Sequence, residues 1–382
     1  MLACVLAAQA LKFRWLTSGD EAFRAAEQAI DGACRSVRLE VYTYADSAVG
    51  RRIRDRLAAA AARGALVRVL VDGVGSFRLP GSFWEPLVAA GGQVRVFNPI
   101  SLERFAVRDH RKLLVCDEAV AILGGFNIAP EYEGDGVTRG WCDLAMQLEG
   151  EPARALAASF DSMFEHADFR HKRPLRFRRP LVKRLVPASD WQLLLSGPGR
   201  GRNPLLRMLH RDLVGAASVQ IAAAYFLPTR RLRRKLMRVA RAGGTVRLLL
   251  PGKTDVQLSQ LAAQCLYTRL LKAGVEIYEY QPQILHAKLI IVDDAVYVGS
   301  ANLDPRSLRI NYDLMVRFHN VELAEQARSV FDAMLARARR IELEEWRASL
   351  SWWQKLLQRL AYYLLVRVDP YVAAWQYRRM RR

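Results

Sequence analysis

"HRKLLVCD" (110–117) and "HAKLIIVD" (286–293) are one pattern written twice, 176 residues apart, in a chain with only six histidines. Each copy has a lysine two residues after the histidine and an aspartate five residues further on, with apolar residues between. Alternate residues of a strand share a face, so His110 and Lys112 are expected to point the same way, as are His286 and Lys288. After each aspartate the chain turns, at "DEA" or "DD", and returns as a second apolar strand, "VAILGGFN" (120–127) or "VYVGSAN" (296–302). Folding the hairpin back sets Gly124 and Gly125 opposite His110, with Asn127 just beyond. In the second copy it sets Gly299 and Ser300 opposite Lys288 and His286, followed by Asn302. Small residues across from a His–Lys pair leave room for a ligand, and each asparagine adds a neutral amide donor.

One such hairpin alone reads as a half-exposed sheet edge. Two copies with matching Gly/Ser-x-Asn returns point to chemistry on an anion. A phosphodiester gains charge on its oxygens during attack, and two lysines and two asparagines held in place stabilise those oxygens. One histidine can attack phosphorus while the other protonates the leaving oxygen and later deprotonates an incoming alcohol. Imidazole titrates near neutral pH, so both roles are accessible. The same lysines would repel a cation, so neither a metal nor another cofactor is expected. An attacking imidazole also needs its second nitrogen held. The candidates are Asp143 in "RGWCDLAM" and Asp313 in "INYDLMV", each on an apolar, strand-like segment following its motif. Asp117 and Asp293 belong to the motifs but sit at the far end of the first strand, which gives them a bracing role at the turn.

The repeat extends beyond the motifs. "SVRLEVYTY" (36–44), "GRRIRDRLAAAAARG" (50–64) and "LVRVLVDG" (66–73) read as strand, helix and strand. So do "SVQIAAAYF" (218–226), "TRRLRRKLMRVARAGG" (229–244) and "TVRLLLPG" (245–252). A further strand follows in each half, "GGQVRVFNP" (91–99) and "AGVEIYEYQP" (273–282). Offsets of 176 to 183 residues describe two related α/β domains rather than a solenoid. The expected boundaries are an N-terminal segment 1–16, a first lobe 17–169, a basic linker 170–190, a second lobe 191–340 and an amphipathic basic segment 341–382.

The chain has 382 residues, 51% of them hydrophobic, and a formal net charge of +20, which suits nucleic acid or a membrane rich in anionic lipid. Cys4, Cys34, Cys116, Cys142 and Cys265 are odd in number and contain no CxxC spacing, which argues against a disulfide framework or a zinc site and for a reducing compartment. No apolar run reaches the 18 or so residues of a spanning helix, and "MLACVLAAQAL" lacks the basic start of a signal peptide. Residues 346–382 hold four of the eight tryptophans and eight Lys or Arg against one acid. Within them Trp353, Leu356, Leu357, Leu360 and Leu364 fall on one helical face, which suggests docking on an anionic membrane, with packing against the catalytic lobe as the alternative.

The paired "HRKLLVCD…GGFN" and "HAKLIIVD…GSAN" resemble the phospholipase D superfamily. "LVDGVGS" (70–76), "LLSGPG" (194–199), "AYFLP" (224–228) and "GSANLDPRSLRINYDL" (299–314) narrow the resemblance to bacterial cardiolipin synthases of the shorter form without transmembrane helices. It covers about residues 17 to 340 and implies two duplicated α/β/α lobes with the active site at their interface, a phosphohistidine intermediate and no metal. It implies a phosphatidyltransferase acting on phosphatidylglycerol and a second phospholipid at the cytoplasmic face of the cell membrane as a peripheral protein, without nucleic acid as partner. It makes His110 the nucleophile and His286 the general acid. Hydrolysis to phosphatidic acid and nuclease action remain alternatives for the same residues. Two departures stand out. The second hairpin is one residue shorter, and "NYDL" has aspartate where the family often has glutamate, so Asp313 must reach one methylene further.

Overall fold

The computed structural model describes residues 11–100, 106–167, 183–188, 190–199 and 201–372. The opening "MLACVLAAQA" and nearly all of the basic stretch 170–184 lie outside the described residues.

The first lobe is built on strands β1 (Phe13–Leu16), β2 (Ser36–Val41), β3 (Leu66–Asp72), β4 (Gln93–Phe97), β5 (Leu113–Cys116), β6 (Val120–Gly124) and β7 (Ala145–Glu149). Its helices are α1 (Gly19–Asp31), α2 (Ala48–Ala62), α3 (Glu85–Ala89) and α4 (Glu151–Glu165). The second lobe has β8 (Arg184–Pro187), β9 (Trp191–Ser196), β10 (Ser218–Ala223), β11 (Thr245–Pro251), β12 (Glu276–Tyr280), β13 (Lys288–Val292), β14 (Ala295–Gly299), β15 (Asp313–His319) and β16 (Ala338–Arg340). Around them lie α5 (Pro204–Asp212), α6 (Arg230–Arg241), α7 (Gln257–Gln264), α8 (Tyr267–Leu271), α9 (Pro305–Arg309) and α10 (Val321–Leu335), then α11 (Leu343–Ser349) and α12 (Trp352–Tyr363).

The first sheet runs β1-β7-β6-β5-β2-β3-β4, and the second runs β16-β12-β11-β10-β13-β14-β15-β9-β8. Read from the other edge, the second is the first with one strand added at each end. The pairing is parallel where a helix crosses over, as in β2–β3 and β10–β11, and antiparallel in the hairpins β5–β6 and β13–β14. The central motif strands are buried along their whole length, because helices cover both sheet faces. On each outer face an amphipathic helix lays down an apolar stripe. In α6, capped by Thr229, the stripe is Leu232, Leu236, Met237 and Val239, and the arginines between them face outward except Arg233.

The inner faces share one core. Leu113, Val115 and Leu123 of the first lobe belong to the same buried cluster as Leu289, Ile291 and Val298 of the second, together with Phe160 from α4 and Phe331 from α10. Truncating such a buried leucine to alanine costs about 2–5 kcal/mol. This shared core fixes how the two motif hairpins face each other.

The expected boundaries shift at two edges. Phe13–Leu16, placed in the N-terminal segment, pairs antiparallel with β7 and closes the first sheet. Arg184–Pro187, placed in the linker, pairs with β9. Ala338–Arg340 extends the second sheet beyond β12. Strands of three or four residues are too short to show a period of two, and long-range pairing decides them.

Candidate active site

The hairpins turn as the unequal spacing requires. Cys116 pairs with Val120, leaving a three-residue turn at Asp117–Ala119, whereas Val292 pairs with Ala295 around only Asp293 and Asp294. Asp117, Glu118 and Asp293 have positive φ there, at 56°, 58° and 48°. The Asp117 carboxylate accepts the backbone N–H groups of Cys34, Arg35 and Ser36 at 2.9, 2.7 and 2.8 Å. Asp293 accepts those of Ala217 and Ser218 at 3.1 and 2.8 Å. Both carboxylates therefore tie the turn to the start of the neighbouring antiparallel strand, β2 or β10, at the end of the motif strand away from the histidine.

The histidines lie ahead of β5 and β13, not within the ladders as the alternation suggested. The register Leu113–Leu123, carried one step further, sets Gly124 beside Lys112, and Leu289–Val298 likewise sets Gly299 beside Lys288. Each histidine sits instead on a short segment bridged to the other lobe. Asp109 pairs in parallel with Tyr312, and Leu285 with Cys142. His110 N donates to Tyr312 O at 2.9 Å, and His286 N donates to Cys142 O at 2.7 Å. The residues next to these bridges are Asp313 and Asp143. They consequently cross over: His110 Nδ1 lies 2.9 Å from Asp313 Oδ1, and His286 Nδ1 lies 2.6 Å from Asp143 Oδ2. Each histidine is held by the carboxylate of the opposite lobe. The shorter aspartate side chain reaches because the Tyr312 main chain is already bonded to the strand that carries His110.

The small residues of the return strand serve these carboxylates rather than a ligand. A Cβ added at Gly125 would fall 2.0 Å from Asp143 Oδ1. In the second lobe the equivalent residue is Ser300, whose Oγ donates to Asp313 Oδ1 at 2.7 Å. Gly125→Ala is thus expected to displace the Asp143 carboxylate and lower turnover at least about a hundredfold, as an unheld catalytic imidazole does. Circular dichroism should still show a folded chain, and activity within threefold of wild type would refute the role given to Gly125.

Lys112 Nζ donates to the His110 carbonyl at 2.8 Å, and Lys288 Nζ donates to the His286 carbonyl. Lys288 also touches the His286 ring, 3.2 Å from Nε2. The His110 ring has no second hydrogen-bond partner among the described residues. Asn127 is already engaged: its Oδ1 accepts Thr43 N at 3.1 Å and its Nδ2 donates to Tyr132 Oη at 2.8 Å. These contacts brace the pocket wall and engage one of the two N–H donors of the amide. Asn302 Oδ1, by contrast, is buried without a hydrogen-bond partner among the described residues.

Burial, and then the charge of Lys112, hold His110 below the usual histidine range despite Asp313. Burial and Lys288 push His286 down to about 4. Burial and the second lysine lower Lys112 to about 7, and burial lowers Lys288 to about 8. A cation with a lowered pKa is charged below that value and loses its charge as pH rises through it. Affinity for a non-hydrolysable phosphonate analogue should therefore fall above pH about 7, by up to about tenfold per pH unit for each lysine discharged. Titration calorimetry near pH 8 should show proton uptake on binding. Affinity that stays flat from pH 6 to 9 would show that the lysines do not carry the anion.

Aromatic rings complete the walls, and the motif reading missed them. The Tyr42 ring lies 5.2 Å from that of His110 and 5.3 Å from Lys112 Nζ. Tyr132, Trp141 and Tyr225 surround His286 at 5.4, 5.5 and 6.4 Å. Tyr42 and Tyr225 follow the C-terminal ends of β2 and β10, where open α/β sheets place ligands, and that position is the signal that could have found them.

Comparison with solved structures finds the same fold in other proteins. Phosphatidylserine synthase of Haemophilus influenzae aligns with a TM-score of 0.73 over 95% of both chains at 15% identity. Polyphosphate kinase of Porphyromonas gingivalis aligns at 0.60 over 87% of this chain and 49% of its own. At such identity the likeness is one of fold. The family model described as "Cardiolipin synthase, PLD-like domain" matches residues 27–164 and 214–335, one segment in each lobe. The chain belongs to this family. Cardiolipin synthase 1 of Bacillus anthracis is 32% identical over 83% of this chain and 65% of its own length. The major cardiolipin synthase ClsA of Bacillus subtilis is 31% identical over 88% and 71%. The chain thus spans about two thirds of the length of these relatives.

Proposed function

We propose that the chain transfers a phosphatidyl group from one phospholipid to the free glycerol hydroxyl of phosphatidylglycerol, giving cardiolipin. The observation that carries this reading is the crossed pair of His–Asp contacts flanked by Lys112 and Lys288. It supplies two imidazoles, each held by a carboxylate, around one anion site. Cardiolipin synthases among the relatives point to the lipid substrate.

In the first step His110 Nε2 attacks phosphorus. The P–N bond forms, the P–O bond to the leaving alcohol breaks, and His286 gives that oxygen its proton. In the second step the acceptor hydroxyl loses its proton to His286 and attacks phosphorus, and the P–N bond breaks. His110 suits the first role because Asp313 occupies only its Nδ1, whereas Lys288 lies against the ring of His286. Burial first, and then the charge of Lys288, keeps His286 deprotonated; the entering phosphate offsets the lysine's share, so substrate binding favours loading of the acid. Preorganised charge of this kind is worth several kcal/mol in a buried site.

The test is to incubate pure protein with phosphatidylglycerol vesicles and to read the products by mass spectrometry. Cardiolipin with release of glycerol is the expected result. Phosphatidic acid alone would make the chain a hydrolase, and cleavage confined to oligonucleotides would make it a nuclease.

A further inference from the structure

Helix α12 is mounted with its apolar face outward. Its N-terminus is fixed by a capping box in which Ser351 Oγ accepts Gln354 N and the Gln354 side chain accepts Ser351 N. The residues it turns inward are the polar Gln358 and the small Ala361, and Ala361 packs with Leu227 and with Ala262 of α7. The residues it turns outward are Trp353, Leu356, Leu357 and Leu360, with exposures of 56%, 47%, 49% and 53%. Val256 and Leu258, at the start of α7, each show 40%. A soluble surface helix normally has the opposite arrangement, so this face calls for an apolar partner.

The place of the face says which partner. Two polar contacts fasten it to residues at the edge of the active site. Asp255, just before α7, accepts the hydroxyl of Tyr225 at 2.7 Å, and Tyr225 is one of the rings around His286. Asp369, beyond α12, takes both arms of the Arg306 guanidinium at 2.9 and 2.7 Å, and Arg306 lies on α9, directly after Asn302 and the motif return. Lys355, Arg359 and Arg367 are exposed around the apolar residues and have no acidic partner among the described residues. No helix among the described residues is long and apolar enough to cross a membrane. Leucine and tryptophan surrounded by unpaired cations match the interfacial region of a bilayer with anionic headgroups.

We infer that α12 and the N-terminal end of α7 form a membrane-seating surface that inserts into the anionic leaflet and sets the rim of the active site on the plane of the lipid phosphates. This inference rests on the reading that the substrate is a phospholipid, and it goes further by assigning the surface that meets the bilayer. The substrate phosphate then reaches His110 and Lys112 without leaving the headgroup layer.

The test uses the full chain, a double variant Leu357→Glu/Leu360→Glu, and Val214→Glu as a control at another exposed apolar residue, 72% accessible. Binding is read by co-sedimentation with vesicles of phosphatidylglycerol and phosphatidylethanolamine, and separately with phosphatidylcholine vesicles. The expected result is at least a tenfold loss of binding to the anionic vesicles in the double variant and none in the control. The wild-type tryptophan emission should shift to the blue on anionic vesicles only. Hydrolysis or transfer with a monomeric short-chain phosphatidylglycerol should stay within threefold of wild type in the double variant, which shows that it folds. Unchanged vesicle binding would overturn the inference. So would a wild-type dimer that the double variant dissociates with vesicle binding intact, because the face would then join two copies of the chain. Binding that emerges only after residues 373–382 are removed would also overturn it, since that segment would cover the face. Vesicle binding is read without turnover, so strong binding with no lipid product would count against the proposed reaction and leave the seating surface standing.

Discussion

Replacing His110 or His286 by alanine is expected to lower turnover of phosphatidylglycerol at least about a thousandfold. In the proposed mechanism, loss of His110 removes the atom that attacks phosphorus. Loss of His286 leaves the departing alkoxide without a proton in a buried site, where charge is costly. Steady-state rates by product mass spectrometry check the size of both effects. A residual tenth of wild-type activity in either variant would sink the two-histidine mechanism. An alkaline quench preserves the acid-labile P–N bond while saponifying the acyl esters, so digestion and mass spectrometry should find a phosphatidyl or deacylated glycerophosphoryl adduct on the peptide containing residue 110. The adduct on residue 286 instead would exchange the two roles.

The crossed carboxylates give the second large effect. Asp313→Asn and Asp143→Asn should each cost at least about a hundredfold, because an amide cannot hold the imidazole tautomer that catalysis needs. The two losses should differ in kind. A p-nitrophenyl phosphodiester departs without a proton, so it bypasses the acid but not the nucleophile. With this substrate Asp143→Asn and His286→Ala should recover much of their lost formation of the covalent intermediate, measured as a burst of p-nitrophenolate. Asp313→Asn and His110→Ala should not. If Asp143→Asn instead behaved like His110→Ala, the carboxylates would act within their own lobes and the crossing would have no catalytic meaning.

The duplication and the motif pair were legible because their signals are local. A histidine, a lysine and an aspartate at fixed spacing, followed by a short turn and a glycine, can be read along fewer than twenty residues. The strand–helix–strand units 36–73 and 218–252 emerged as β2–α2–β3 and β10–α6–β11, with ends shifted by a few residues. The crossing was not legible. Asp143 and Asp313 each follow their own motif in the chain, and only the bridges Asp109–Tyr312 and Leu285–Cys142 carry them to the opposite histidine. Gly125 was read as space for a ligand because the sequence does not show that the Asp143 carboxylate comes within 2.0 Å of its missing Cβ. Likewise, the period of α12 revealed an apolar stripe but not its direction. That direction is set by what α7 offers it, an alanine and the flank of a leucine, against which Ala361 fits and a row of leucines would not.

Each half of the chain supplies what the other lacks, so two motifs make one working centre rather than two. A symmetric dimer of identical halves would have to use every residue in both roles at once. A single polypeptide is released from that requirement, and this one has used the freedom. Behind His110 the first half buries an ionic contact, Arg111 to Glu40 at 3.1 Å, with Arg111 also donating to Ser159. Behind His286 the matching positions are Ala287 and Ala222, both nearly inaccessible to solvent. One imidazole is backed by charge and the other by methyl groups. The two halves share a strand order but surround their histidines differently, so exchanging the two motifs would not reproduce the same centre.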